Sequence, residues 1–386
     1  MHRRSFLIDS GLAALGLSAF ALGGDVHAMQ APAGVKDAFL DSLVSWWDAG
    51  IPKWLQETRM PAVSIALIRD GRLAWRRAFG VKDTGTNEPV DVDSVFAACS
   101  DTKPVFAYGV MKLAERGLIN LDTPLVKYTS RRVTADPRVE LITARHVLTH
   151  TTGFPNWRQT PELPIQFTPG SQYQYSGEGF SYLQSVVVEI TGKSFERFML
   201  DNILVPLGMT SSSITWDMNS VRRIAKPHDE KGQRIAGKYV TPPSGAEAAE
   251  GIARYGAAAM LMTTPADYAR FLLEFLNPKE ADNFRLNAAS RGEMLRPQVK
   301  TGFGAEGLAW NLEDHAGVPR MFAHSGSDAG YYCFAAASIE RRAGLMVMLN
   351  GDAYAPFLMK MLANPSGPPA APQTLWPEFA KRFFAA

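Results

Sequence analysis

The chain has 386 residues, 46% of them hydrophobic and 20% charged, with a formal net charge of +2. This composition permits a large buried core, in one large domain or in two fused ones. The balanced charge argues against nucleic acid or an anionic membrane surface as a partner. The two cysteines, Cys99 and Cys333, exclude a disulfide framework. We expect two buried small side chains, with a single bridge as the open alternative.

Residues 1–28 are predicted to be an export signal that lies outside the fold. Arg3 and Arg4 supply positive charge, an apolar run of small residues covers 11–23, and Ala28 suits cleavage by signal peptidase. The two arginines also resemble a twin-arginine signal, with an ordinary secretory signal or an uncleaved anchor as alternatives. Because the apolar run is too short to span a bilayer comfortably, we expect a periplasmic or secreted protein without a stable membrane span after cleavage.

Hydrophobic periodicity predicts a succession of elements whose type changes along the chain. The first are a helix over 35–55 and two strands over 62–68 and 73–79, with Asp70-Gly71 as a hairpin turn. Further helices are predicted over 104–115, 143–148, 181–190, 195–204, 265–275 and 376–384. Loops are predicted over 151–170 and 241–251, and later strands over 320–323, 331–339 and 345–350.

Strands at both ends of the chain, with helices between them, predict one sheet built from distant segments. The fold class is therefore α/β, more narrowly α+β, with an antiparallel sheet from the N- and C-terminal segments, flanking helices and a mostly helical middle region. One domain over 29–386 would hold an α/β part at about 29–110 and 300–386 and a helical part at about 111–299. A catalytic cleft is expected at the seam between the two parts.

The tetrapeptide Ser100-Asp101-Thr102-Lys103 carries the strongest chemical signal and is the one S-x-x-K in the chain. At the start of a helix, residues three apart share a face, so the lysine amine can reach the serine hydroxyl. A lysine whose pKa is lowered by burial can take the proton of a serine nucleophile. The helix N-terminus favours the developing anion. The alternative is a chance match, which a chain of this length readily supplies.

Two later motifs add weaker signals. Tyr175 lies on a loop before a helix, where its hydroxyl could relay a proton to a leaving group. It could equally be a packing residue, and Tyr173 is a competitor. His324-Ser325-Gly326 ends a strand, where the histidine could hold positive charge near a site and the glycine would admit a close backbone. A strand-end turn with a surface histidine is the alternative.

His146 and His150 have the H-x-x-x-H spacing of a metal-binding pair on a helix. No Glu follows His146 as the metalloprotease pattern requires, so structural hydrogen bonding is the better account of both side chains. The chain has no G-x-S-x-G or Walker motif, which removes the α/β-hydrolase and P-loop nucleotide interpretations. We therefore expect neither a metal nor another cofactor.

Taken in order, the motifs resemble those of the class C β-lactamase-like serine hydrolases. That superfamily includes penicillin-binding proteins, D-amino-acid peptidases and β-lactamase-fold esterases. The resemblance covers nearly all of the mature chain and rests on 62–79, 95–103, 142–153, Pro169-Gly170, Tyr175-Ser176, 206–209 and 323–326. Together these motifs are specific for the fold and the nucleophile, and much less specific for the substrate.

The resemblance implies a role for each matched residue. Ser100 would be the acylated nucleophile, Lys103 its base, and Tyr175 a proton shuttle with Lys103. The backbone N–H groups of Ser100 and Ser327 would form the oxyanion hole. His324-Ser325-Gly326 matches the family's K-T-G strand, in which histidine often replaces lysine among the esterase-like members.

One departure from the family pattern bears on the substrate. Gly177 stands where β-lactamases and D,D-peptidases carry the asparagine of Y-x-N, which helps bind the amide of a β-lactam or a peptide. With His324 in place of lysine, this departure favours a carboxylic ester hydrolase that takes a small-molecule ester or amide substrate. The alternatives are a β-lactamase or peptidoglycan-type amidase and, from another class, a non-catalytic protein that binds cell-wall peptide or serves as a scaffold.

Overall fold

The computed structural model describes residues 38–216, 218–236, 245–302, 304–314, 320–363 and 375–385, and the predicted export signal lies outside them. The helices are α1 (Ala38–Thr58), α2 (Thr102–Glu115), α3 (Ala144–Leu148), α4 (Gly177–Thr191), α5 (Phe195–Met199), α6 (Met218–Arg223), α7 (Gly245–Ala259), α8 (Pro265–Leu276), α9 (Ala288–Met294), α10 (Tyr354–Leu362) and α11 (Leu375–Ala385). The strands are β1 (Ala62–Arg69), β2 (Arg72–Asp83), β3 (Glu88–Pro89), β4 (Phe96–Ala97), β5 (Met262–Thr263), β6 (Val299–Thr301), β7 (Gly304–Glu306), β8 (Asn311–Glu313), β9 (Met321–Asp328), β10 (Tyr331–Ser338) and β11 (Ala343–Leu349).

Nine of the strands in the described residues form one sheet, in the order β3-β2-β1-β11-β10-β9-β8-β7-β6. Its neighbouring strands pair antiparallel. β1 lies between β2 and β11, so an early strand of the chain pairs with a late one. A separate two-stranded ladder joins β4 to β5. The predicted fold class is confirmed, because N- and C-terminal segments build one antiparallel sheet with helices around it.

The hairpin between β1 and β2 turns where the sequence predicts it. Asp70 and Gly71 have φ angles of 51° and 67°. Both angles are positive, as the tight turns that suit the twist of a hairpin require. Asparagine, aspartate and glycine adopt this conformation at the lowest cost, which is why the dipeptide is a reliable signal.

β1 is buried along its whole length because helices cover both faces of the sheet. Alternate side chains of a strand point to opposite faces. Ala66 and Ile68 therefore join a core that includes Phe106 of α2 and Phe271 of α8. Ile65 and its alternate neighbours join a second core, which contains apolar residues of α1, α10 and α11. A continuous apolar strand is the pattern expected of a sheet covered on both sides.

The predicted loop over 241–251 is wrong from residue 245 onward, because Gly245–Ala259 is a helix. Its alanine-rich sequence favours a helix, and Ile252 and Ala257 are buried on the inner face. The two glycines in its first half conceal that preference, since glycine is a poor helix former. Residues 241–244 lie outside the described residues.

Other boundaries shift for local reasons. The predicted helix over 181–190 begins at Gly177, because the Ser176 hydroxyl accepts a hydrogen bond from the backbone of Gly179 and caps the first turn. The predicted helix over 195–204 is α-helical only to Met199 and continues as a π-type turn. Helices α9 and α10 and the short strands β6, β7 and β8 were not predicted. Within the described ranges, no helix combines the length and apolarity that crossing a membrane requires.

Candidate active site

A sharp turn presents Ser100 at the junction of strand β4 and helix α2. Residues Cys99–Asp101 form one 3₁₀ turn between the two elements. Cys99 has a φ of 47°, a conformation that is unusual for a residue with a side chain. The Thr102 hydroxyl donates to the Cys99 carbonyl at 2.6 Å and accepts from the backbone of Leu261 at 3.0 Å. These two hydrogen bonds fix the turn, and Ser100 itself remains half-buried.

Lys103 lies one turn along the chain with its amine beside the Ser100 hydroxyl. Its Nζ is 3.2 Å from Ser100 Oγ and donates to the carbonyl of Ala258 on α7 at 2.8 Å. The side chain is 1% exposed, and the rings of Tyr175 and Phe180 lie 4.8 and 5.5 Å from Nζ. Burial lowers the pKa of Lys103 from its ordinary 10.5 to about 7, against the opposing charge of Asp101. A large neutral fraction is therefore present at physiological pH.

Tyr175 completes a contact triangle with these two side chains. Its hydroxyl interacts with the Ser100 side chain, and burial raises its pKa. The imidazole of His150 stacks on the Tyr175 ring at 4.2 Å between centroids and holds it in place. Tyr173 meets the His150 ring at 6.0 Å in an edge-to-face contact. Of the two tyrosines considered from sequence, it is Tyr175 that reaches both Ser100 and Lys103.

Strand β9 closes the site on the side opposite α2. A Cβ built on Gly326 would lie 2.5 Å from the backbone nitrogen of Ser100, so the two segments touch through their backbones. His324 shares that face of the strand, because side chains two apart point the same way. The Ser325 side chain interacts with Tyr332 of β10 and lies on the other face. The structure therefore brings His324 and Gly326 to Ser100, whereas the Ser325 hydroxyl is turned away.

Ser327 follows Gly326 on β9 and is exposed. It pairs with Tyr332 of β10 in the antiparallel ladder. The close approach of Gly326 to the Ser100 nitrogen keeps this part of β9 alongside the nucleophile. A shared oxyanion hole of the Ser100 and Ser327 backbone N–H groups remains a prediction.

His324 also contacts the carboxylate of Asp101, which no sequence motif singled out. Its Nδ1 lies 3.2 Å from Oδ1 of Asp101, the residue after the nucleophile, and the exposures of the two side chains are 3% and 0%. Burial raises the pKa of Asp101, against the stabilising effect of His324. A buried carboxylate is costly unless a partner compensates its charge.

The position after Tyr175-Ser176 is closed by an aromatic ring. A Cβ built on Gly177 would lie 2.5 Å from the indole of Trp157, so no larger side chain fits without moving that ring. The next residue, Glu178, is 4% exposed and accepts hydrogen bonds from Nε and Nη2 of Arg158, at 3.0 and 2.6 Å. This ion pair fixes the segment that carries Trp157. Neither Trp157 nor Arg158 belongs to a motif that sequence alone would single out.

The two histidines of the H-x-x-x-H pair make structural hydrogen bonds. Nδ1 of His146 accepts from the backbone of Thr143 at 3.3 Å, and Nδ1 of His150 accepts from the backbone of Ser176 at 3.0 Å. Burial holds the pKa of His150 well below its usual value, so its ring is neutral. No group of three or more potential metal-ligating side chains occurs in the part of the chain that the structure describes.

Cys99 and Cys333 are both buried and both free. The expectation of two buried small side chains is confirmed. The Cys333 thiol lies against the carbonyl oxygen of Ala98 at 2.7 Å, directly behind the turn that carries Ser100. The two thiols therefore pack the rear of this turn.

Comparison with known proteins gives one relative that spans most of the chain and another that spans less than half of it. Penicillin-binding protein 4 from Amycolatopsis lactamdurans is 27% identical over 318 residues, which cover 75% of this chain and 80% of that protein. Esterase EstB from Burkholderia gladioli is 30% identical over 199 residues, covering 44% of this chain. The chain thus matches half of the length of that esterase.

Two solved structures share the fold. D-alanine carboxypeptidase AmpC from Burkholderia cenocepacia has a TM-score of 0.70 and 17% identity, covering 84% of this chain and 99% of that one. The octameric penicillin-binding protein homologue from Pyrococcus abyssi has a TM-score of 0.65 and 23% identity, covering 83% and 76% of the two chains. At these identities the likeness establishes the fold alone.

The family assignment rests on a match that spans most of the chain. The sequence profile described as Beta-lactamase matches residues 40–362, which include the Ser100 turn, Tyr175 and strand β9. The named relatives include an esterase and a penicillin-binding protein. The chain therefore belongs to the Beta-lactamase family, and its relatives support serine hydrolase activity.

Proposed function

We propose that this protein is a carboxylic ester hydrolase that works through an acyl-enzyme on Ser100. The contact that carries the proposal is the one between a buried lysine amine and a serine hydroxyl, 3.2 Å apart, at the start of a helix. Burial leaves much of Lys103 neutral near pH 7, which is the form that can accept a proton. A serine hydroxyl becomes a competent nucleophile when a base within hydrogen-bonding reach takes its proton.

Each proton in the proposed reaction has a donor and an acceptor. Ser100 Oγ forms a bond to the ester carbonyl carbon while its proton passes to Lys103. Tyr175, which burial keeps protonated, gives its proton to the departing alkoxide and is replenished by Lys103. Backbone N–H groups of Ser100 and Ser327 would receive the negative oxygen. Water then attacks the acyl-enzyme by the reverse proton path, and the carboxylic acid leaves.

The surroundings of Gly177 support an ester over an amide or β-lactam substrate. The side-chain amide that a family asparagine would offer at this position is absent, and the Trp157 ring fills the space instead. Trp157 in turn packs edge-to-face on Tyr255 at 5.0 Å. An apolar wall of this kind offers no hydrogen bond to a substrate amide, and an unpaired buried amide costs about 1–3 kcal/mol.

A substrate panel tests the proposal directly. We expect the purified protein to hydrolyse short p-nitrophenyl esters faster than nitrocefin or a D-alanyl-D-alanine peptide. Faster turnover of nitrocefin or the peptide would favour the β-lactamase or amidase alternative. Failure of every substrate, together with failure of a fluorophosphonate to label Ser100, would favour a binding or scaffold protein.

A paired substitution tests the part assigned to Trp157. Gly177→Asn places a side chain against the indole, and we expect it to cost about 1–3 kcal/mol of stability, as overpacking commonly does, and to lower ester turnover. Adding Trp157→Ala removes the obstruction, so the double variant should regain stability and gain turnover of nitrocefin relative to esters. An unchanged ratio of nitrocefin to ester turnover in the double variant contradicts the assignment.

We also propose export to the periplasm or the exterior, on the twin-arginine-like start of the sequence. Replacing Arg3 and Arg4 together by Lys should retain the protein in the cytoplasm, because the twin-arginine route requires the arginine pair. Cell fractionation measures the outcome. Unchanged export of the double variant, with a cleaved N-terminus, would favour an ordinary secretory signal.

A further inference from the structure

Asp101 is a fully buried carboxylate next to the nucleophile. Its side chain has 0% exposure, and neither oxygen completes a hydrogen bond of good geometry within the described residues. Its backbone carbonyl accepts from the hydroxyl of Tyr268 on α8 at 3.0 Å, which fixes the main chain but leaves the carboxylate without that donor. Charged groups are almost never buried in this way unless a partner compensates for lost hydration.

The nearest basic group is the imidazole of His324. Nδ1 of His324 lies 3.2 Å from Oδ1 of Asp101, and Nδ1 is itself fully buried with no other partner in the described chain. The contact is short but not linear, and such hydrogen bonds often tighten when substrate binds. Nε2, the other ring nitrogen, has no hydrogen bond within the described residues, and the Tyr175 ring lies 6.3 Å away between centroids. Nδ1 of the imidazole thus lies beside Asp101, and Nε2 is available to substrate.

Few charged groups surround this pair within the described residues. There, the titratable groups that interact with Asp101 or His324 are His150 and Tyr175 from the loop before α4, Lys103 from α2, Tyr268 from α8, and Tyr332 and Cys333 from β10. Burial raises the pKa of the three tyrosines and of Cys333 and lowers that of His150, so these five are uncharged near neutral pH. The electrostatics of the site therefore depend chiefly on Asp101, His324 and Lys103.

We infer that Asp101 is a positioning residue for His324, and that the two form a carboxylate–histidine pair behind the nucleophile. The carboxylate accepts the Nδ1 proton, which fixes the ring orientation and tautomer and leaves Nε2 facing the reacting groups. The inference rests on the proposed function, because it assigns the pair a part in the same hydrolytic reaction. It gives a functional role to Asp101, the second residue of S-x-x-K, a position at which the motif does not specify a residue type.

The pair has a second effect, on the base. Burial lowers the pKa of Lys103, and the negative charge of Asp101 opposes part of that effect. Removing the carboxylate should therefore move the Lys103 titration to lower pH.

Two isosteric variants test this reasoning. Asp101→Asn keeps an acceptor for Nδ1 but loses the charge, and we expect kcat for a p-nitrophenyl ester to fall about tenfold with little change in KM, a loss confined to the transition state. The acid limb of its pH profile, the range in which kcat/KM rises as Lys103 loses its proton, should shift to lower pH. His324→Asn keeps a donor to Asp101 but lacks the second ring nitrogen that would face the reacting groups, so its kcat should also fall. Asp101→Leu, which removes the acceptor as well, should lose more activity than Asp101→Asn.

Asp267→Asn is the matched control, because Asp267 is also buried but serves the backbone of Ser211 and the hydroxyl of Ser212. It should lower the melting temperature and leave the acid limb in place. ¹⁵N NMR of histidine-labelled protein gives a readout without turnover, in which Asp101→Leu should change the Nδ1 signal of His324. The inference is overturned if Asp101→Asn retains parental kcat and an unmoved limb, or if that signal is the same in parent and variant. A parent that neither hydrolyses esters nor reacts with fluorophosphonate at Ser100 would instead refute the proposed function.

Discussion

The backbone of Gly326 on β9 packs directly against the backbone nitrogen of Ser100. A Cβ at position 326 would lie 2.5 Å from that nitrogen and 2.7 Å from the carbonyl oxygen of Ala98, distances that no relaxed side chain tolerates. Glycine therefore sets the separation between the nucleophile turn and the strand that faces it. Any larger residue must push the two apart.

We predict that Gly326→Ala lowers ester kcat/KM by at least about tenfold and destabilises the fold by about 1–3 kcal/mol, because both obstructing groups are backbone atoms. The measurements are steady-state kinetics and thermal unfolding. Gly292→Ala on α9 is the control, since a Cβ there meets nothing within 4 Å, and alanine favours a helix. Parental activity in Gly326→Ala would show that this contact does not set the geometry of the site.

Ser100→Ala should abolish ester turnover and fluorophosphonate labelling, because no other side chain supplies the attacking oxygen in the proposed mechanism. The fold should survive, since the Gly326 contact and the Thr102 hydrogen bonds involve the backbone of the turn. Circular dichroism and the melting temperature check this second point. Residual turnover comparable with the parent would remove Ser100 from the mechanism.

The activity should depend on pH through Lys103. With a pKa of about 7, the amine is protonated and inactive at pH 5 and mostly neutral at pH 8. We expect kcat/KM to rise with pH and to level off above an acid limb near 7. Lys103→Ala should lose roughly 10²- to 10⁴-fold in activity, the usual contribution of a general base, and the remaining rate should lack that limb. A Lys103→Ala variant with near-parental turnover would exclude this base.

The same lysine should reduce the stability of the protein. Its pKa is lower in the folded state, at about 7, than its ordinary 10.5. The unfolded chain binds more protons between these values, so the free energy of unfolding should rise with pH across that window and stay at its lower level below pH 7. Lys103→Met should remove this pH dependence and add roughly 1–4 kcal/mol near neutral pH, as replacing buried charge by apolar volume can do. Denaturant titrations from pH 6 to 10 measure both effects, and a loss of stability in Lys103→Met at pH 7 would contradict the assigned burial cost.

Glu306 on β7 should give the opposite pH dependence. The side chain is fully buried, accepts a hydrogen bond from Asn311 at 2.9 Å, and has its pKa raised by burial from 4.5 to about 8. The folded state holds the proton across that window and the unfolded chain does not, so this carboxyl's contribution to stability is full below pH 4.5 and declines up to pH 8. Glu306→Gln should flatten this decline in a plot of melting temperature against pH. The same slope in parent and variant would assign the dependence to other groups.

The sequence carried the signals that depend on local chemistry. The Asp70-Gly71 turn needs two positive φ angles. The Asp-Gly dipeptide predicts this conformation because both residues adopt it at low cost. The spacing of Ser100 and Lys103 places both side chains on one face of a forming helix, and the structure brings their polar atoms to 3.2 Å. The antiparallel sheet followed from the grouping of strands at the two ends of the chain.

The remaining features depend on tertiary contacts that no local pattern encodes. Asp101 occupies a variable position of S-x-x-K and acquires its environment from His324, which is remote in sequence. Trp157 matters because its ring lies over Gly177, and the loop that places it is fixed by the ion pair of Arg158 with Glu178. Helix α7 was missed because glycines interrupt its alanine-rich sequence, and its Ala258 carbonyl holds the Lys103 amine.

The position of β1 between β2 and β11 has a consequence for how the polypeptide matures. Val63 pairs with Leu349, 286 positions later in a chain of 386 residues. Such high contact order slows folding. During synthesis, the hairpin of β1 and β2 forms before β11 has been made. Until then, the edge of β1 that will pair with β11 has unpaired backbone groups, a state that is prone to aggregation. The ribosome must therefore deliver nearly the entire chain before this edge is capped, and a chaperone that shields the nascent hairpin would raise the yield of native protein.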